Sequence, residues 1–105
     1  MSKKTILLVC GTGMSTTILV KKMQKIVAEE QLDYEIIAAN IGDSEGIINN
    51  ENIDVLLLGP QVSYMNEVLS KRYAPKKVMV GSISKDDYGL ANGRKVLELA
   101  ESLLD

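Results

Sequence analysis

Four short apolar runs, three of them followed by residues at helical spacing, leave this chain few ways to fold. Residues 5–10 (TILLVC) stop at Gly11, residues 34–39 (YEIIAA) run up to Asn40, residues 54–58 (DVLLL) stop at Gly59-Pro60, and residues 77–80 (KVMV) stop at Gly81. Continuous rather than alternating apolar runs belong to strands covered on both faces. Leu19, Met23, Ile26 and Val27 share one helical face and predict an amphipathic helix over 15–31, capped by Ser15, Thr16 or Thr17. Val62, Met65, Val68 and Leu69 predict a second helix, reaching about residue 72. Val96, Leu97, Ala100, Leu103 and Leu104 predict a last helix that starts near residues 90–92. Residues 44–50 read as a polar loop holding, if anything, one short helix. The fourfold alternation predicts a single α/β domain over residues 1–105. Its core is a four-stranded parallel sheet with right-handed crossovers and helices on both faces.

Composition removes several functions. The 105 residues carry a net charge of −2 with both signs interspersed, which gives no electrostatic case for nucleic acid or an anionic membrane surface. Four tyrosines, without Phe or Trp, make a base-stacking platform improbable. No apolar run approaches the roughly 20 residues that span a bilayer, so direct membrane insertion is not expected. The N-terminus lacks an Ala-x-Ala-like cleavage site and is not read as a signal peptide. One cysteine rules out an internal disulfide and fits a reducing cytosol. With no histidine and no second cysteine, a metal centre is not expected and a histidine-based triad is excluded. No cofactor is expected.

In parallel α/β sheets, ligands sit beyond the carboxyl ends of the strands. The loops at that edge are expected at residues 10–15, 40–46, 59–63 and 81–89. The first carries the lone thiol. Gly11 and Gly13 let the backbone turn tightly and aim N–H groups inward, and the following helix adds a positive N-terminus. Together these make an anion cradle, with hydroxyl donors at Ser15, Thr16 and Thr17. The same field favours the thiolate form of a cysteine at its head, which would make Cys10 a nucleophile with a phosphate pocket attached. A free cysteine is also often just a small buried hydrophobe, and the loop alone leaves both readings open.

Other phosphate loops fit less well. There is no Walker A run, and Thr16 stands where a dinucleotide fingerprint wants its third glycine. Small tyrosine phosphatases place an arginine six residues after the cysteine. Here that position is Thr16, and no arginine precedes Arg72. A phosphatase needs that guanidinium fork, and an acid besides. A carrier that must keep its phosphoryl group away from water is better served without them. A phosphatase-like or arsenate-reductase-like cysteine enzyme stays as the alternative. A flavodoxin-like binding module is a third reading, disfavoured by the scarcity of aromatics.

CGTGMSTTILVKKM (10–23), LLLGPQVSYM (56–65) and DDYGLANGRKVL (86–97) resemble three stretches of the IIB proteins of the bacterial phosphoenolpyruvate-dependent sugar phosphotransferase system, lactose/cellobiose (diacetylchitobiose) family. The resemblance runs in order along essentially the whole chain. It implies a cytoplasmic phosphotransferase that works transiently at the inner face of the membrane. Cys10 would take a phosphoryl group from a phosphohistidine of a IIA protein. It would pass the group to a cellobiose-, lactose- or chitobiose-type sugar carried by the membrane IIC protein. Gly11, Thr12, Gly13, Met14, Ser15, Thr16 and Thr17 would bind the phosphate, with Gly59, Pro60 and Gln61 as the neighbouring wall. Met14 and Ile18 are the expected apolar centre of a docking patch. Tyr64, Asp86, Asp87 and Tyr88 share this edge of the sheet and are read as structural or solvated side chains.

Overall fold

The computed structural model describes residues 3–10 and 14–104, with residues 14 and 15 described by backbone alone. Among these, four strands form one parallel sheet: β1 (Lys4–Cys10), β2 (Tyr34–Asn40), β3 (Val55–Leu58) and β4 (Met79–Ser82). Their spatial order is β2-β1-β3-β4. Parallel neighbours cannot be joined by a hairpin, so each of the first three strands is joined to the next by helical chain that crosses over the sheet. The helices are α1 (Met14–Glu29), α2 (Ile41–Asn50), α3 (Asn66–Tyr73), α4 (Lys85–Gly89) and α5 (Gly93–Leu104).

Strand alternation divides the core in two. Ile6 and Leu8 of β1 and Val55 and Leu57 of β3 point to one face, where they pack with Leu19 and Met23 of α1 and Val96 and Leu97 of α5. Leu7, Val9, Leu56 and Leu58 point to the other face and meet Ile48 of α2 and Leu69 of α3. The two central strands are therefore covered on both sides, as their unbroken apolar sequences require. Side chains such as Leu57, fully buried, each contribute about 2–5 kcal/mol relative to alanine. By the same parity Cys10 follows Ile6 and Leu8, which directs it to the α1 face.

Several boundaries differ from the sequence expectation, each for a local reason. The segment read as a loop at 40–46 is mostly helix, because α2 begins directly after β2. The Asn40 side chain caps α2 by accepting from the Asp43 N–H at 3.1 Å. Gly42 and Gly46 had obscured its periodicity. The helix expected after Pro60 opens as a 3₁₀ segment (Pro60–Met65) before α3. Strand β4 starts at Met79 rather than Lys77. Lys77 is left-handed (φ 61°) and ends a second short 3₁₀ turn (Ala74–Lys76).

Gly81 does not close β4 but lies inside it, opposite Leu57. A Cβ there would come within 2.6 Å of Leu103 Cδ1, so the glycine is what lets α5 approach the sheet. The expected loop at 81–89 carries α4, capped by Ser84, whose hydroxyl oxygen accepts the Asp87 N–H at 3.1 Å. Ala91 (φ 50°) then breaks the chain before α5.

Candidate functional site

The carboxyl edge of the sheet gathers the C-terminal residues of β1 and β3. Gly59, just beyond β3, donates its N–H to Val9 O at 2.8 Å, which draws the start of the 3₁₀ segment against the end of β1. A Cβ on Gly59 would lie 3.2 Å from Cys10 Cβ, 3.4 Å from Gln61 Oε1 and 3.4 Å from Tyr88 Cε1. Gly59 has an ordinary extended backbone (φ −65°, ψ 163°), so close approach is the reason for glycine here, not a special turn. Cys10 is thereby walled on its β3 side.

Cys10 is in no disulfide and is only 1% exposed. The Thr16 hydroxyl, in the first turn of α1, donates to Cys10 Sγ at 2.6 Å. Thr16 is itself 2% exposed, and its Oγ1 lies 3.0 Å from the Tyr88 hydroxyl of α4. The site is thus assembled from the ends of β1 and β3, the positive end of α1 and a tyrosine far along the chain. That helix end favours an anion placed before it. The first turn of α1 has no acidic residue to oppose one.

The sequence-derived residues distribute as follows. Cys10, Thr16, Gly59 and Gln61 come together, and Pro60 starts the 3₁₀ segment between Gly59 and Gln61. Thr17 is exposed on the next position of α1, beside Ile18. Gly11, Thr12 and Gly13, and the side chains of Met14 and Ser15, lie outside the described residues. Tyr88, read as structural or solvated, is buried and hydrogen-bonded into the cysteine's surroundings. A tyrosine in the loop after the fourth strand, at the ligand-binding edge, was the signal that could have found it. Tyr64, by contrast, is 80% exposed. Arg94 is held by Glu30, with Nη1 3.1 Å from Oε1, on the outer side of α1 and α5. Among the described residues there is no group of three potential metal ligands and no helix long and apolar enough to cross a membrane.

The family profile described as "PTS system, Lactose/Cellobiose specific IIB subunit" matches residues 5–99. The chain belongs to that family. It is 43% identical to the PTS system galactose-specific EIIB component of Lactococcus lactis subsp. cremoris and 42% identical to the cellobiose-specific EIIB component of Lactococcus lactis subsp. lactis, each over 100% of both chains. The oligo-beta-mannoside-specific EIIB component of Bacillus subtilis is 36% identical over 96% of each chain. Among solved structures, the cellobiose-specific phosphotransferase IIB component of Borrelia burgdorferi superposes with a TM-score of 0.77 at 34% identity, covering 98% of this chain and 93% of that one. The lactose-specific IIB domain from Streptococcus pneumoniae shares the fold at a TM-score of 0.87, with 12% identity, over 99% of this chain and 100% of that one. This protein is therefore a IIB component of the lactose/cellobiose type, and IIB components of the system are phosphotransferases that work with IIA and IIC partners.

Proposed function

We propose that Cys10 carries the phosphoryl group in this IIB component. It accepts the group from a phosphohistidine of IIA and gives it to a cellobiose-, lactose- or chitobiose-type sugar translocated by IIC. The observation that carries the reading is the Thr16 hydroxyl bond to a buried sulfur at the positive end of α1. In the accepting step the histidine N–P bond breaks with its electron pair going to the imidazole nitrogen, and an S–P bond forms at Cys10 Sγ. In the donating step the S–P bond breaks toward sulfur and a P–O bond forms at a sugar hydroxyl.

Residues 11–17 would hold the phosphoryl oxygens, with Gly59, Pro60 and Gln61 as the wall and the Gln61 amide within reach as a donor. Phosphoryl transfer depends chiefly on positioning and charge stabilisation, which backbone donors and a helix end supply. Burial keeps bulk water from the sulfur. No arginine follows in the position a phosphatase would use. Both features suit a carrier over a hydrolase. Ile18, 56% exposed one turn into α1, is placed to contact a partner transiently. The protein would act in the cytoplasm and meet IIC at the inner membrane face.

The three curated relatives are named for galactose, cellobiose and oligo-beta-mannoside at 36–43% identity. These names differ in sugar at similar identity, and in this reading selectivity would sit in the membrane partner. Incubation with phosphoenolpyruvate, the general phosphotransferase proteins and IIA tests the proposal by intact mass. One added phosphoryl group that is absent in Cys10→Ser supports it. Unchanged mass with active partners, or steady release of inorganic phosphate from an aryl phosphate, contradicts it.

A further inference from the structure

We infer that Tyr88 is a positioning residue for Cys10, its hydroxyl donating to Thr16 Oγ1 and so committing the single Thr16 proton to the sulfur. The direction of the chain follows from counting protons. A hydroxyl has one proton to give. Thr16 gives its proton to Cys10 Sγ at 2.6 Å. The 3.0 Å contact between Thr16 Oγ1 and the Tyr88 hydroxyl must then run from tyrosine to threonine. Cys10, Thr16 and Tyr88 are 1%, 2% and 9% exposed, so the relay works at low dielectric, where hydrogen bonds in series strengthen one another.

Tyr88 is held for this task. Its N–H donates to Ser84 O at 3.0 Å within the capped helix α4, and its ring lies against Gly59, where a Cβ would come within 3.4 Å of Cε1. A tyrosine that only filled the core could place its hydroxyl anywhere. This one reaches across 72 residues of sequence to a buried hydroxyl that touches the sulfur.

The consequence for transfer rests on the carrier reading above. A thiolate accepts a stronger hydrogen bond than a sulfur bonded to phosphorus. When the S–P bond breaks, its electron pair goes to Sγ, the sugar oxygen takes the phosphorus, and the sugar hydroxyl proton passes to a base on the acceptor side. The relay stabilises the charge that appears on sulfur in that step. It therefore tunes how readily Cys10 gives its phosphoryl group up.

The test uses Tyr88→Phe, which keeps the ring, beside Thr16→Val, Thr16→Ser and a distant control, Tyr34→Phe, whose hydroxyl bonds Glu101 at 3.0 Å. The first readout is the pH profile of far-ultraviolet thiolate absorbance, with Cys10→Ser as the baseline. Tyr88→Phe should move the rise to higher pH by roughly half a unit, and Thr16→Val by about one unit or more. Thr16→Ser should recover most of what Thr16→Val loses, and Tyr34→Phe should leave the profile in place. The second readout is the phosphoryl equilibrium with phospho-IIA, which should shift about threefold toward the phosphorylated chain in Tyr88→Phe. A Tyr88→Phe profile that coincides with the parent's, or a Tyr34→Phe shift of equal size, overturns the relay. If the profile shifts but no phosphoryl group is taken up, the carrier reading fails and the relay stands as a device acting on the thiol. If uptake occurs and neither readout responds to Tyr88→Phe, the relay fails and the carrier reading stands.

Discussion

Thr16 and Ser44 are the two buried polar side chains of their class among the described residues, and they serve opposite purposes. Ser44 lies on α2 and returns its proton to Ile41 O, three residues back, at 2.9 Å. That bond closes locally and touches no other element. Thr16 lies on α1 and bonds outward, to Cys10 on β1 and Tyr88 on α4. The two faces of the sheet differ in the same way. Under α2 and α3 the side chains of β1 end in Leu7 and Val9 against hydrocarbon. On the α1 face the row Ile6, Leu8 ends in a sulfur met by the Thr16 hydroxyl. Burial alone does not separate a packing residue from a chemical one. A buried hydroxyl that bonds across elements rather than back to its own helix is the better sign of chemistry.

That contrast can be broken in order of size. Thr16→Val should lower the rate at which the phosphorylated chain gives its phosphoryl group to sugar by about ten- to a hundredfold, the cost of a hydrogen bond to a charged group, as measured with membranes carrying IIC. Ser44→Ala should leave that rate alone. Gly81→Ala should lower stability by about 1–3 kcal/mol in urea unfolding, because Leu103 must move, with transfer preserved. Ser44→Ala should cost about 1 kcal/mol in the same unfolding experiment, the worth of one local hydrogen bond.

The smallest effect belongs to the exposed Arg94–Glu30 pair. Its hydrogen bonds from Arg94 hold the Glu30 carboxyl below the usual carboxylate range. A depressed folded-state value means stability is present above the unfolded value and fades as pH falls. The Tm advantage over Glu30→Gln should shrink as the pH drops below about 4, and it should be small throughout because the pair is exposed.

The sheet was legible because both faces of its central strands are covered, which leaves unbroken apolar runs ended by Gly11 and by Gly59-Pro60. Helix α2 was not, because Gly42 and Gly46 interrupt its pattern and its start is set by the side-chain cap of Asn40. Gly81 read as a stop because sequence does not show the Leu103 side chain that needs the space. At the site, the position of Cys10 at a strand end was readable from the run that precedes it. The proximity of Gly59 followed from the rule that strand ends share an edge. Tyr88 escaped notice because nothing local in KDDYG distinguishes a buried hydroxyl from a solvated one. Only the placement of α4 against α1 brings it to Thr16.

The most direct measurement is intact mass after incubation with phosphoenolpyruvate, the general phosphotransferase proteins and IIA, followed by peptide mapping under conditions that preserve phosphothiols. The account predicts one phosphoryl group per chain, located on Cys10 and absent in Cys10→Ser. A phosphoryl group on any other residue, or none with partners shown to be active, would contradict it.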